Sequence, residues 1–248
     1  MWLTLGGVTT RDGVLALADV AARAGAEPFS TSGPTPGELA TAAGEADAGE
    51  GVLIVTLARE MSATFDAACL AAGTAPAGRV RVVDSRSAAG GEALVALAAA
   101  RRAGAGGDLG QVTAAAQEAA TRVSLVAAVA DLGHLARSGR VPATAARAGL
   151  ALGVRPLFEL RQGRVRALRP ARGGDQALRR LVAAPSVGRR AGRLHAAVLH
   201  AGDEGAAATV LDRVRARYAP SSAFVGGFSP VMVAHTGPLL VGMAWWWE

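Results

Sequence analysis

Two apolar runs, each leading into a hydroxyl-bearing loop and then a helical pattern, constrain the fold most. Val52-Leu53-Ile54-Val55-Thr56-Leu57, bounded by Gly51 and charged residues, reads as a fully buried strand. It ends in Ala58-Arg59-Glu60-Met61-Ser62-Ala63-Thr64, where a helix starts that reaches Ala72. The pattern recurs: Val80-Arg81-Val82-Val83 leads into Asp84-Ser85-Arg86-Ser87, and Gly90-Gly91 precedes a helix through Ala100. Strand, loop and helix in succession, twice, is the mark of a parallel α/β layer. Ligands of such sheets bind outside the carboxyl ends of the strands, where these loops gather.

The flanking segments fit that frame. Trp2–Leu5 is a short strand candidate, and the apolar spacing from Val14 to Ala21 predicts a helix that stops at Gly25. The stretch from Phe29 to Gly37 reads as a loop, because two prolines and two glycines crowd it. Thr35 with Glu38 forms a capping box for a helix from Pro36 to about Gly44. Spare amides and hydroxyls make that loop a natural place for an anion. A Gly-rich linker at 104–107 and a helix from Leu109 to Thr121 close the first half.

The second half opens with a buried strand, Val123–Val129, and a short helix over 131–139. A hairpin follows, Val154–Leu160 and Arg164–Leu168 about the turn Arg161-Gln162-Gly163. Then come a helix from Asp175, a strand His195–His200, a helix Asp203–Tyr218, a strand Ala223–Gly227 and a last strand Leu239–Trp247. Alternate rings of Trp245, Trp246 and Trp247 are expected to cap an apolar edge. The expected domains are 1–122 and 123–248, the first with a parallel and the second with a mixed sheet.

Composition narrows the function classes. All 26 basic residues are arginine, and residues 123–248 carry 17 of them against 7 acids, whereas residues 1–122 carry 9 against 13. Only Phe158 stands among Arg155, Arg161, Arg164, Arg166, Arg169 and Arg172, too few aromatics to stack bases, so no nucleic-acid partner is expected. That arginine set reads as a solvated surface first and a docking face for an acidic partner second. No apolar run approaches the roughly 18–20 residues of a membrane helix, and no secretory signal stands at Met1. The single cysteine, Cys69, excludes a disulfide framework and reads as a buried hydrophobe in a reducing, cytoplasmic setting.

Of the four histidines, His195 and His200 lie in a strand and read as structural, and His134 as a surface residue. His235, in a loop before Thr236-Gly237-Pro238, is the best candidate for ligand contact. No pair has the spacing of a metal site, and no cofactor is expected.

Six motifs, taken in register, carry a resemblance. Thr31-Ser32-x-Pro-x-Pro-Gly37, Met61-Ser62-Ala63-Thr64-Phe65, Val83-Asp84-Ser85, Leu135-x-x-Ser-Gly-Arg140, Arg155-Pro156-Leu157 and His235-x-Gly237-Pro238 occur in the order and spacing of the DegV family. The chain resembles that family over nearly its whole length. The resemblance implies two α/β domains with a long-chain fatty acid buried between them. It also implies a separate, dihydroxyacetone-kinase-like fatty acid kinase that phosphorylates the presented carboxylate, this chain being no catalyst itself. Carried across by position, Thr31, Ser32, Ser62 and His235 are expected around the carboxylate and Arg140 toward the kinase. Hydroxyls and an imidazole donate to an anion, and a guanidinium supplies charge for phosphoryl transfer. The tail needs only an apolar tunnel, since about 14 buried methylenes at roughly 0.8 kcal/mol each give on the order of 10 kcal/mol before costs.

The chain departs from the family pattern in places. The family's first strand, with its Asp-Ser turn, falls before Met1, so the first sheet is expected to lack it. Ala234 stands for a threonine, Ala63 for a glycine, and Ser138-Gly139-Arg140 for Gly-Gly-Arg. Two other readings compete with the carrier. Ser62, His235 and Asp84 supply the residue types of a hydrolase triad, although no Gly-x-Ser-x-Gly elbow is present. A degenerate member that keeps the fold and binds nothing is the other.

Overall fold

The computed structural model describes residues 1–130, 154–187 and 191–248. The helix expected over 131–139, His134 and Arg140 lie outside the described residues.

Among the described residues three sheets organise the chain. Strand β1 (Trp2–Leu5) turns at Gly6-Gly7 into β2 (Val8–Arg11) and pairs on its other side with β3 (Phe29–Ser32), both antiparallel. The first four residues of the segment read as a loop are therefore a strand, with Leu3 opposite Thr31 and Leu5 opposite Phe29. Between β2 and β3 runs α1 (Leu17–Arg23). Helix α2 (Pro36–Ala46) starts at the expected box: Thr35 Oγ1 accepts from the Glu38 amide, and the Glu38 carboxylate accepts from the Thr35 amide.

Strands β4 (Val52–Thr56) and β5 (Val80–Asp84) pair in parallel, each followed by a helix, α3 (Thr64–Thr74) and α4 (Gly90–Gly104). Only Thr56 of β4 is buried; Val52, Leu53, Ile54 and Val55 are half-buried, a correction with a simple cause. Among the described residues β4 has one strand neighbour, so its outer side lacks the cover that a central strand receives. Cys69 is exposed, not buried. Helix α3 is alanine-rich on every side, and so weak an amphipathic pattern does not tell one face from another.

After α5 (Leu109–Arg122), the second half builds a six-stranded mixed sheet from β6 (Ser124–Ala128), β7 (Val154–Arg161), β8 (Arg164–Arg172), β9 (Leu194–His200), β10 (Ser222–Gly227) and β11 (Val241–Trp247). Its order is β10-β9-β11-β6-β7-β8, with β9 and β10 parallel and the other neighbours antiparallel. The β7–β8 turn is two residues, Gln162 and Gly163, both at positive φ, the twist that a tight hairpin requires. Helices α6 (Gly174–Ala183) and α7 (Glu204–Tyr218) cover one face, packing Leu181, Val210 and Val214 against Val198, Met243 and Trp245. The other face meets α4 and α5, so one apolar cluster joins Leu94 and Val112 to Leu125, Ala197 and Ala244.

The three tryptophans do not cap an edge. All are buried because β11 is an interior strand between β9 and β6. Trp246 stacks on His195, whose Nδ1 lies 2.8 Å from Ser222 Oγ and whose Nε2 lies 3.2 Å from Glu248. Burial holds that imidazole below its ordinary pKa, against the pull of Glu248. Among the described residues no helix is long and apolar enough to cross a membrane.

Candidate functional site

The site begins in the alternation of β3. Phe29 and Thr31 turn inward and are half-buried, whereas Ser30 and Ser32 turn outward and are exposed. Thr31 and Ser32, adjacent in sequence, therefore stand on opposite faces. Thr31 Oγ1 lies 2.8 Å from His235 Nε2, and the Phe29 ring meets the imidazole edge-on at 5.4 Å between centroids.

His235 reaches this strand from the far end of the chain. It does not stand in a loop but in the last turn of a short helix, α8 (Pro230–Thr236), and is 8 % exposed. Ser229 caps that helix through the Met232 amide, Pro230 fills its first turn, and Gly237 at positive φ ends it. Two ties dock α8 on the first sheet. Asp12 Oδ1 accepts from the Val231 amide at 3.0 Å, and Val231 and Ala234 pack with Leu3, Leu5, Val20 and Ala24. Ala234 thus faces an apolar cluster.

The third contribution follows β4. Ser62 Oγ lies 2.8 Å from Thr64 Oγ1 and accepts from the Thr64 amide at 3.2 Å, fixing the turn into α3. Gly33 passes so close that a Cβ there would stand 2.7 Å from Thr64 Oγ1. Only glycine at 33 leaves the hydroxyl pair where it is.

Thr31, Ser62 and His235 border one cavity of about 110 Å³. Apart from Thr236 its remaining wall is apolar and comes from both halves: Leu57, Met61 and Ala89 on one side, Leu125, Phe158 and Gly242 on the other. The sequence-derived positions thus separate. Thr31, Ser62 and His235 converge, and Ser32 is exposed and is not part of the wall. Thr64, Gly33 and Phe29 belong to the same neighbourhood without having been singled out for it. Thr64 carried a signal, standing beside Ser62 at a helix start; Gly33 and Phe29 required the fold.

The cluster is chemically a polar set bordering a mostly hydrocarbon-lined hole. The Ser62 hydroxyl can donate to a carboxylate oxygen, and so can the Thr31 hydroxyl when His235 Nε2–H donates to its Oγ1; the apolar wall strengthens each such bond by excluding water. Among the described residues no group of three or more His, Cys, Asp or Glu side chains stands together as a metal site.

One titratable group near the start of α4 has a measurable consequence. Burial pushes the Glu92 carboxyl up to about 7. The folded form then keeps its proton at pH values where the unfolded form has lost it, so Glu92 erodes stability as pH rises from the ordinary carboxylate range through about 7. Glu92→Gln is expected to raise the unfolding free energy at pH 8 by on the order of 1–3 kcal/mol, the gain shrinking toward pH 5. Urea melts of both proteins at the two pH values check it; an equal gain at both would contradict the assignment.

Comparison with known proteins agrees with this architecture. A family model described as "Uncharacterised protein, DegV family" matches residues 4–248. A DegV domain-containing protein of Mycobacterium tuberculosis is 38% identical over 248 residues, covering 97% of this chain and 86% of the relative. One from Streptomyces coelicolor is 38% identical over 222 residues, 87% of this chain and 78% of its own length. Among solved structures, "Fatty Acid Binding of a DegV family Protein from Thermus thermophilus" superposes with a TM-score of 0.90 at 28% identity, covering 100% of this chain and 90% of that one. The fold is shared with the Streptococcus pneumoniae Fatty Acid Kinase (Fak) B3 protein loaded with linoleic acid, at a TM-score of 0.88 and 17% identity over 100% of this chain and 89% of the other. With a family model and curated relatives matching nearly end to end, the chain belongs to the DegV family.

Proposed function

We propose that this chain binds a long-chain fatty acid, with the carboxylate at Thr31, Ser62 and His235 and the hydrocarbon in the apolar cavity. The observation that carries the reading is that three polar side chains from β3, the β4–α3 turn and α8 border one hole whose other walls are mostly Leu, Ala, Phe and Met. The relative from Thermus thermophilus, whose description names fatty-acid binding, supports it. At about 110 Å³ the cavity is narrow, and a long acyl chain would widen it by re-packing Met61 and Met232, unbranched side chains suited to that.

The acid so held would be presented to a separate fatty acid kinase, which makes the acyl phosphate; the chain itself supplies binding and no catalytic group. Arg140 is proposed to face that kinase. A serine hydrolase is the weaker reading. Asp84 Oδ1 accepts from the Arg86 amide at 2.7 Å, and Ser62 and His235 have Thr64 and Thr31 as hydrogen-bond partners.

Displacement of a fluorescent fatty acid by oleate tests the headgroup site. Ser62→Ala and His235→Ala are each expected to weaken oleate about tenfold, the loss of one charge-assisted hydrogen bond. Arg140→Ala is expected to retain oleate and to slow acyl-phosphate formation in the presence of kinase and ATP. Unchanged affinity in both site variants would overturn the placement of the carboxylate.

A further inference from the structure

The six-stranded sheet has two faces, and neighbouring residues of the same strands serve each. In β6, Leu125 and Ala127 border the acyl cavity while Ser124 and Val126 point the other way. Strand β7 divides Phe158 and Leu160 from Leu157, Glu159 and Arg161, and β11 divides Gly242 and Ala244 from Trp245 and Trp247. On that opposite face, beside the end of α6, lies a second cavity of about 350 Å³.

Its floor is apolar, made by Val126, Leu157, Leu168 and the edges of Trp245 and Trp247. Its polar lining is mainly cationic: Arg122, Arg161, Arg166 and Arg180 border it against one carboxylate, Glu159. Two of these have acidic partners, Arg122 with Glu118 at 2.7 Å and Arg166 with Glu159 at 2.7 Å. Arg180 donates to the Arg169 carbonyl, and among the described residues neither Arg180 nor Arg161 pairs with a carboxylate. Among the described residues two guanidinium groups therefore border the cavity without a carboxylate partner.

We propose that this cavity is a second ligand site, for a phosphomonoester joined to an apolar or planar body. The charge selects the headgroup: a phosphomonoester carries about −1.5 to −2 at neutral pH, matching two free guanidiniums, whereas one carboxylate neutralises only one. The floor selects the body, because inorganic phosphate would make no use of the apolar side chains that line the cavity. A cavity of this size falls within the range of small-molecule pockets. The site shares the sheet with the acyl cavity but no side chain with it.

Isothermal titration calorimetry of the full chain with phenyl phosphate, inorganic phosphate and phenol tests this. Phenyl phosphate is expected to bind saturably, one per chain, at least about tenfold more tightly than either fragment. Arg161→Gln combined with Arg180→Gln is expected to weaken it by at least about tenfold, leaving oleate affinity unchanged. Arg161 is exposed, so its single replacement keeps the test available if the double variant does not fold. Equal weak binding of phenyl phosphate and inorganic phosphate, or no loss in the variants, would overturn the proposal. A second arm identifies the source: phosphatidylcholine vesicles containing phosphatidic acid displace phenyl phosphate if the group belongs to a lipid. They leave it bound if it belongs to a soluble ester, and either result with saturable binding supports the site.

Discussion

Gly242→Leu is expected to leave the protein folded and almost empty of fatty acid. Gly242 stands on β11 between Ala127 and Leu240, where an added Cβ would lie 3.2 Å from the Ala127 Cβ and 3.6 Å from Leu240 Cδ2. The first carbon fits with a shift of a few tenths of an ångström; the rest of a leucine has only the cavity to enter. Excluding about four methylenes of the acyl chain at roughly 0.8 kcal/mol each removes about 3 kcal/mol, more than a hundredfold in affinity. Over-packing costs stability of about 1–3 kcal/mol. Gly242→Ala, which adds only the tolerated carbon, should lie between the two. Ala244→Leu, from the same strand and the same wall, repeats the test should Gly242→Leu fail to fold. A folded Gly242→Leu protein with wild-type oleate affinity would mean that the hydrocarbon lies elsewhere.

Leu5→Ala is expected to lower both stability and fatty-acid affinity, although Leu5 does not border the cavity. It is 1 % exposed and belongs to the small cluster that fastens α8, and with it His235, to the first sheet. Truncating a buried leucine costs about 2–5 kcal/mol, and so small a cluster has few neighbours able to close the gap. A loosened α8 also weakens the Thr31–His235 pairing on which the headgroup site depends. Chemical denaturation and oleate displacement on one preparation check the two losses together. A destabilisation below about 1 kcal/mol, or full affinity despite a larger one, would show that α8 is held by other contacts.

These effects explain what could be read in the residues and what could not. The parallel pair β4–β5, the hairpin at Gln162-Gly163 and the capping box at Thr35 follow from local rules, because each is set by a few consecutive side chains. Strand β3 did not, since four residues ending against Gly-Pro-Thr-Pro are too short to show alternation. That alternation alone separates Thr31 from Ser32. Helix α8 is also short, seven residues before Gly237-Pro238, which on their own suggest a turn. The Trp245-Trp246-Trp247 run could be placed only once β11 was known to lie inside the sheet, where a strand is covered on both faces. Cys69 fails for the opposite reason, because an alanine-rich helix offers no distinct apolar stripe to assign it to. The site was legible as residue types, hydroxyls and an imidazole in glycine- and proline-rich surroundings. Its convergence depends on pairings between residues 31 and 235, far beyond the reach of any local pattern.

Native mass spectrometry of the purified full chain, before and after incubation with oleate, decides whether it carries an acyl ligand. One fatty acid per chain is expected, retained through gentle ionisation, released on unfolding, and lost in the Gly242→Leu protein. A wild-type chain that stays at its bare mass in excess oleate while remaining folded would contradict it.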